Sequence, residues 1–356
     1  MKRLLILEDG SVYEGIGFGG NNYQMGELIF QTGMSGYQEI LSDLSYCGQI
    51  VMMTYPAIGN CGINRDDFES LIPNVFGFVV KEYCEEPSNF RSDMSLDEFL
   101  KMKNIPAIAD IDTREITRKI RDNGVMKAMM ADEGADVKAI VDMMKHTELP
   151  TGGVAKVSTQ KPFPIPSRGK KAVMLDIGTK FAVIREFNER DIDLLVVPYN
   201  MSAEKIMELQ PDGVILSGGP GSPDEIPETI EATKQLLGKV PLLGIGLGHE
   251  VLALALGAKI KKMKTGHHGN SMPVRNLKKN KIEFTAQNHG YDLDESNIDG
   301  TGIEITYRAL NDDSVEGFTH NKYELISVAF EPEASPGADD LKYIFDEFIE
   351  LMKERG

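Results

Sequence analysis

The octapeptide Leu243-Gly244-Ile245-Gly246-Leu247-Gly248-His249-Glu250 joins a short apolar run, PLLGI, to the helical pattern VLALALGA. Three glycines alternating with branched apolar residues mark a corner where a strand gives way to a helix. Such corners serve two chemistries: they cradle a phosphate, or they present a nucleophile. A dinucleotide fingerprint needs G-x-G-x-x-G. Counting from Gly244 gives Gly246 and then His249 where the third glycine belongs. Nor does the corner follow the first strand of its domain, and no acidic residue ends a strand about 20 residues on. A glycine-rich turn without chemistry is the bland alternative. The third reading is a nucleophile elbow, whose reactive residue sits at the apex between glycines because the turn admits no larger neighbours. The apex here is Gly246, so the corner has the shape of an elbow without a side chain to react.

Outward from the corner, KAVMLDIG, DLLVVPY, GVILSGG and PLLGI are short continuous apolar runs, as expected of strands buried on both faces. The amphipathic stretches TKFAVIREFNER, SAEKIMELQ and PETIEATKQLLG separate them. This alternation predicts right-handed βαβ crossovers and an α/β, doubly wound, mostly parallel sheet, with ligands beyond the carboxyl ends of its strands. A second glycine corner, Ser217-Gly218-Gly219-Pro220-Gly221, falls at such an end. The C-terminal stretch reads as a packing helix with Leu341, Ile344, Phe345, Phe348, Ile349 and Met352 on one face.

The first 150 residues have another style, β-rich α+β. RLLILEDGSVYEGIGF is two alternating strands around Asp9-Gly10, a hairpin signal. GELIFQTG and QIVMMTYP read as strands, and IPAIA leads into a helix with Asp110 or Asp112 as N-cap and Gly124 as its stop. Another helix is expected near 134–146. The stretch 151–170, with three prolines directly after Pro150 and no helical period, reads as a linker before a domain at 171–356.

Bulk composition bounds the function. The chain has 356 residues, 41% of them hydrophobic, enough for two sizeable cores. A formal net charge of −17 lacks the basic footprint of nucleic-acid binding. No apolar run approaches a membrane span of roughly 18 residues, and the N-terminus does not resemble a signal peptide. Cys47, Cys61 and Cys84 form no metal or redox spacing, which suggests a reducing cytoplasm, and none lies in the C-terminal half.

The stretches TGMSGYQEILSDLSYCGQIVMMTYPAIGN, IPAIADIDTREITRKIR, PDGVILSGGPGSP, LGHEVLALALGAKIKKMKTGHHGN, AQNHGY, DDSVEG and PEASPGADD run nearly end to end. In this order they resemble the class I glutamine amidotransferases, and specifically the small, glutaminase subunits of carbamoyl-phosphate synthase. The resemblance implies a Cys-His-Glu triad, and here the pattern breaks. The family elbow G-I-C-L-G-H-Q has Gly246 at its cysteine position and Glu250 at its glutamine. The family's H-P-E has Glu331 at the histidine and retains Glu333. The glutamine-binding positions it implies are Ser45, Gly219, Gly221, Leu247, Glu250, Asn288, Gly290 and Tyr291, with backbone N–H groups of the Pro-Gly corner suited to an oxyanion hole. His249 could hydrogen-bond the first helical turn and His289 supports structure. His267 and His268 look like loop histidines, and no metal site is expected.

Thioester chemistry needs a thiolate and a base, and a hydrogen atom cannot attack a carbonyl. A carboxylate at 331, with a reference pKa near 4.3, is a poor proton shuttle at neutral pH. Glu250, Glu331 and Glu333 are expected to converge on the emptied pocket, filled by water or by a cation such as ammonium. The resemblance further implies a large-subunit partner, a cytoplasmic location, and arginine and pyrimidine synthesis. It implies no cofactor in this chain, with ATP and Mg used by the large subunit. Three functions follow: a non-hydrolysing small subunit served by ammonia, a glutaminase with an unrecognised nucleophile, and a glutamine-sensing pseudoenzyme.

Overall fold

The computed structural model describes residues 2–354. Contacts divide the chain into two units, Met1–Thr151 and Gly152–Gly356.

In chain order the strands of the first unit are β1 (Lys2–Leu7), β2 (Val12–Gly19), β3 (Gly26–Gln31), β4 (Gln49–Met53), β5 (Ala57–Ile58), β6 (Gly77–Val79), β7 (Glu82–Tyr83), β8 (Pro106–Ala109) and β9 (Met126–Asp132). Seven close a barrel in the order β1-β2-β8-β6-β4-β3-β9, while β5 and β7 pair separately. The hairpin at Asp9-Gly10 forms as expected: Gly10 takes φ 91°, and the Asp9 carboxylate accepts from the Ser11 N–H at 2.8 Å. The helix Thr113–Asn123 is capped by Asp112, which accepts from the Glu115 N–H; Asp110, at φ 63°, is not the cap. Its buried face, Ile116 and Ile120, packs with Leu5, Leu7 and Ile108. Gly124 ends it at φ 96°, its N–H donating to the Ile120 carbonyl. The next helix, Val137–His146, is capped by Asp136.

The second unit contains β10 (Phe163–Ile165), β11 (Lys171–Asp176), β12 (Asp193–Pro198), β13 (Gly213–Leu216), β14 (Leu242–Ile245), β15 (Ile260–Asn276), β16 (Lys281–Leu293), β17 (Ile303–Ala309), β18 (Val315–His320) and β19 (Leu325–Val328). They form one sheet in the order β10-β12-β11-β13-β14-β19-β18-β17-β15-β16. The run from β12 to β19 is parallel, as the apolar runs predict. Alternate residues feed two cores: Val173, Leu175, Val214 and Leu216 on one face, Ala172, Met174, Ile215 and Leu243 on the other. Each such side chain contributes about 1.5–3 kcal/mol by leaving water. The C-terminal helix Tyr343–Glu354 closes the second face, with Ile344, Phe345, Phe348, Ile349 and Met352 all buried.

Two features differ from expectation. The segment 151–170 is not a bare linker: it forms a short helix, Gly153–Val157, and the edge strand β10, antiparallel to β12. Pro164 is tolerated there because an edge strand need not donate to a second neighbour. The strands β15 to β18 add an antiparallel wing to the parallel run. Among the described residues no helix is long and apolar enough to cross a membrane.

Candidate functional site

Strand order reverses between β11 and β13, because β12 lies on the other side of β11. A crevice at the carboxyl ends follows from that reversal. Four chain segments leave there: residues 177–180 after β11, Ser217–Gly221 after β13, Gly246 after β14, and residues 329–333 after β19.

The corner after β14 is an elbow. Gly246 takes φ 54°, ψ −117°, a region glycine enters without steric cost, and it caps the helix Leu247–Ala255. The flanking glycines are required by packing. A Cβ on Gly248 would lie 2.2 Å from the Leu216 carbonyl oxygen, and one on Gly244 would lie 2.5 Å from Leu252 Cδ1. At Gly246 a Cβ would find ordinary contacts, 3.4 Å to Gly218 Cα and 4.0 Å to the Ala329 oxygen. The apex therefore has room for a side chain and lacks one.

The second corner faces it. Gly219 is held so close to Ile177 that a Cβ would lie 2.2 Å from its carbonyl oxygen. Gly221 has φ 84°. Ser217 fastens the corner: its hydroxyl accepts from the Ile177 N–H at 2.9 Å and donates to the Gly218 carbonyl at 2.9 Å. The Gly248 N–H donates to the Ser217 carbonyl at 3.1 Å, tying the two corners together.

Beyond β19, at residues 331 and 333, two carboxylates meet a lysine. Lys180 Nζ lies 2.8 Å from Glu331 Oε2 and 2.8 Å from Glu333 Oε1, and its side chain is 6% exposed. The Asp176 carboxylate shapes the turn that delivers it, accepting from the N–H groups of Gly178 and Thr179. Glu331 is held by its own N–H, which donates to the Ala286 carbonyl at 2.9 Å. The expectation of water or an exogenous cation between these carboxylates is thus corrected: the cation is internal. The lysine escaped sequence reasoning because it stands in a stretch that reads as an amphipathic helix; its place just past a strand's carboxyl end was the available signal.

Glu250 does not share that lysine. It is 4% exposed, its Oε2 makes no hydrogen bond, and burial pushes its carboxyl well above the ordinary range, with Asp224 adding repulsion. His249 hydrogen-bonds Ser327 Oγ through Nδ1 at 2.9 Å rather than the first helical turn, and its ring lies against Phe318. Burial, with His289 adding, depresses its pKa to about 3, so it is a neutral structural residue.

The remaining expected positions are spread out. Asn288, Gly290 and Tyr291 lie on β16, where Asn288 Oδ1 meets His268 Nδ1 at 2.6 Å. Leu247 opens the elbow helix. Ser45 belongs to the first unit, where its N–H and hydroxyl donate to Asp43 Oδ1. His267 and His268 are not in a loop: both are buried on β15. His267 reaches Glu316 Oε1 through Nδ1 at 2.9 Å and Asp312 Oδ2 through Nε2 at 3.1 Å. Burial would lower its pKa, but the two carboxylates outweigh that and raise it to about 10. Glu316 is likewise pulled down to about 2 against its own burial by His289 and His267.

A doubly wound sheet with an elbow after β14 and a glycine corner after β13 is the architecture of the class I glutamine amidotransferases, whose family model matches residues 173–351. The model described as carbamoyl-phosphate synthase small chain, CPSase domain, matches residues 5–130. The chain is 52% identical over 353 residues to the "Carbamoyl phosphate synthase pyrimidine-specific small chain" of Bacillus subtilis, covering 99% of this chain and 96% of that one. The "Carbamoyl phosphate synthase small chain" of Bacillus cereus is 52% identical with the same coverage. A solved structure, a glutamine amidotransferase from Thermotoga maritima, is similar at 19% identity and TM-score 0.39, over 53% of this chain and 86% of that one. The chain belongs to the carbamoyl-phosphate synthase small-chain family.

Proposed function

We propose that this chain is a small subunit that does not hydrolyse glutamine: it docks on a large, ATP-dependent synthetase subunit, which forms carbamoyl phosphate from free ammonia. The observation that carries this reading is Gly246 at the elbow apex. No thiolate is available there to form a thioester, and the carboxylate at the base position, Glu331, is engaged by Lys180 at 2.8 Å. Even where a binding pocket and oxyanion donors survive, loss of triad members in serine proteases leaves only about 10³–10⁴-fold over water. The relatives' printed names support the large-subunit partner and, in the Bacillus subtilis case, a pyrimidine role.

The test is reconstitution with the cognate large subunit. Carbamoyl phosphate should form with ammonium and not with glutamine, and no glutamate should be released. Glutamate release that follows this chain through purification would overturn the reading in favour of a glutaminase with another nucleophile. Failure to co-purify with a large subunit, together with thermal stabilisation by glutamine, would favour a sensing module.

A further inference from the structure

The antiparallel wing carries a second cluster that the amidotransferase reading does not use. His267 on β15 and His289 on β16 are direct cross-strand partners, flanked on β15 by two register shifts. Bulges of this kind re-aim side chains locally. Both rings turn to Glu316 on β18, and the ring centroids are 5.1 Å apart. His267, His289 and Glu316 are 5%, 6% and 0% exposed. One ligand atom from each lies within 4.8 Å of the others.

The hydrogen bonds around the cluster set which nitrogen faces inward. His289 Nδ1 lies 3.1 Å from the Tyr291 carbonyl oxygen, which can only accept, so Nδ1 carries the hydrogen. In the neutral ring Nε2 then presents a lone pair, 3.4 Å from Glu316 Oε1 and without any hydrogen bond; in the imidazolium it forms an ion pair with that oxygen instead. A lone pair facing a carboxylate oxygen is repulsive, and the repulsion is relieved either by a proton on the ring or by a cation between them. Glu316 Oε2 is also buried without a hydrogen bond. His267 donates through Nδ1 to the same Glu316 oxygen and through its other nitrogen to Asp312, so an ion would take the place of the Nδ1 proton. Each inward nitrogen thus belongs to a ring whose outward nitrogen is anchored by a carboxylate or a carbonyl, the arrangement that orients metal-ligating histidines. Two ligands about 2.0–2.1 Å from a tetrahedral ion stand about 3.4 Å apart. The His289–Glu316 edge matches that spacing, and the 2.9 Å His267–Glu316 edge would open by a few tenths of an ångström.

We propose that His267, His289 and Glu316 bind a divalent ion of the zinc class, with Asp312 and the Tyr291 carbonyl orienting the two rings. Two imidazoles and one carboxylate form a ligand set suited to zinc and leave a fourth position for water. The ion would tie together β15, β16 and β18, which carry His267, His289 and Glu316. The expectation of no metal, drawn from two adjacent histidines assigned to a loop, is replaced by this assignment.

The test uses the full chain without an affinity tag, stripped by chelator and titrated with cobalt(II). The expected result is uptake of one equivalent with the visible band of a four- or five-coordinate ion, displaced stoichiometrically by zinc, and a higher unfolding temperature in zinc. His289→Asn should weaken uptake at least about 100-fold, and Asp312→Asn about 10–100-fold. His146→Ala, an exposed histidine elsewhere, should change nothing. Asp312 is exposed and its replacement should not threaten folding, so it serves if His289→Asn fails to fold. No stoichiometric uptake by the folded chain would overturn the proposal and leave a buried ion network only. Uptake untouched by these substitutions would overturn it equally. The readout is independent of glutamine turnover.

Discussion

The second unit holds two buried charged clusters, and they are completed differently. At the carboxyl ends of the parallel strands, Lys180 sets a cation built into the chain against Glu331 and Glu333. In the antiparallel wing, Glu316 receives two ring nitrogens, yet one of those nitrogens and one carboxylate oxygen make no hydrogen bond. The first group carries its own ammonium, whereas the second is completed by imidazoles, the ligand type that a metal of the zinc class takes. On the proposed reading Glu333 holds the position of the triad acid, and its neighbour is the Lys180 ammonium rather than a histidine.

The largest effect expected from disturbing this contrast is catalytic. Gly246→Cys combined with Glu331→His and Glu250→Gln should raise glutamine hydrolysis at least about 10³-fold over the parent, since each triad member works only with the others. Gly246→Cys alone should leave turnover at background. Measured glutamate release would decide both. Next comes the internal cation. Lys180→Met removes the cation shared by two carboxylates, and removing one partner of a buried pair costs about 3–5 kcal/mol, to be read from denaturant unfolding.

Glu250 gives a smaller effect with a defined pH signature. Its folded pKa is raised, so its contribution to stability is complete below the unfolded carboxylate pKa and is lost as pH rises toward the folded value. The loss runs at about 1.4 kcal/mol per pH unit over that window. Glu250→Gln should therefore match the parent near pH 4 and become the more stable of the two as pH rises toward 8. A stability difference that does not change with pH would show that the carboxyl is not raised. The smallest effect is strain at the apex: Gly246→Cys should cost about 1 kcal/mol, because the backbone is left-handed although space is available. An unchanged or raised melting temperature would contradict it.

Much of the parallel half was legible because its signals are local. Continuous apolar runs specify strands buried on both faces, and the glycine spacing at 244, 246 and 248 specifies the elbow. The C-terminal packing helix was legible from its 3.6-residue period. The ion cluster was not, since Lys180 and Glu331 are 151 positions apart and nothing local distinguishes this lysine from a solvated one. The wing was missed because IKKMKTGHHGNSMPVRN mixes charge, glycine and proline without alternation, its two faces being set by bulges rather than by the pleat. The segment 151–170 was misassigned because proline argues against strands in general but not at a sheet edge.

The three corner glycines answer to different masters. Those at 244 and 248 are dictated by neighbouring atoms so close that any larger residue would break the turn. The one at 246 is permitted by the backbone and required by nothing that surrounds it. A sheet that only has to fold will therefore preserve the outline of the corner indefinitely, with or without a reactive atom at its tip. The outline testifies to ancestry and packing; activity has to be inferred from what stands at the single tolerant position between them.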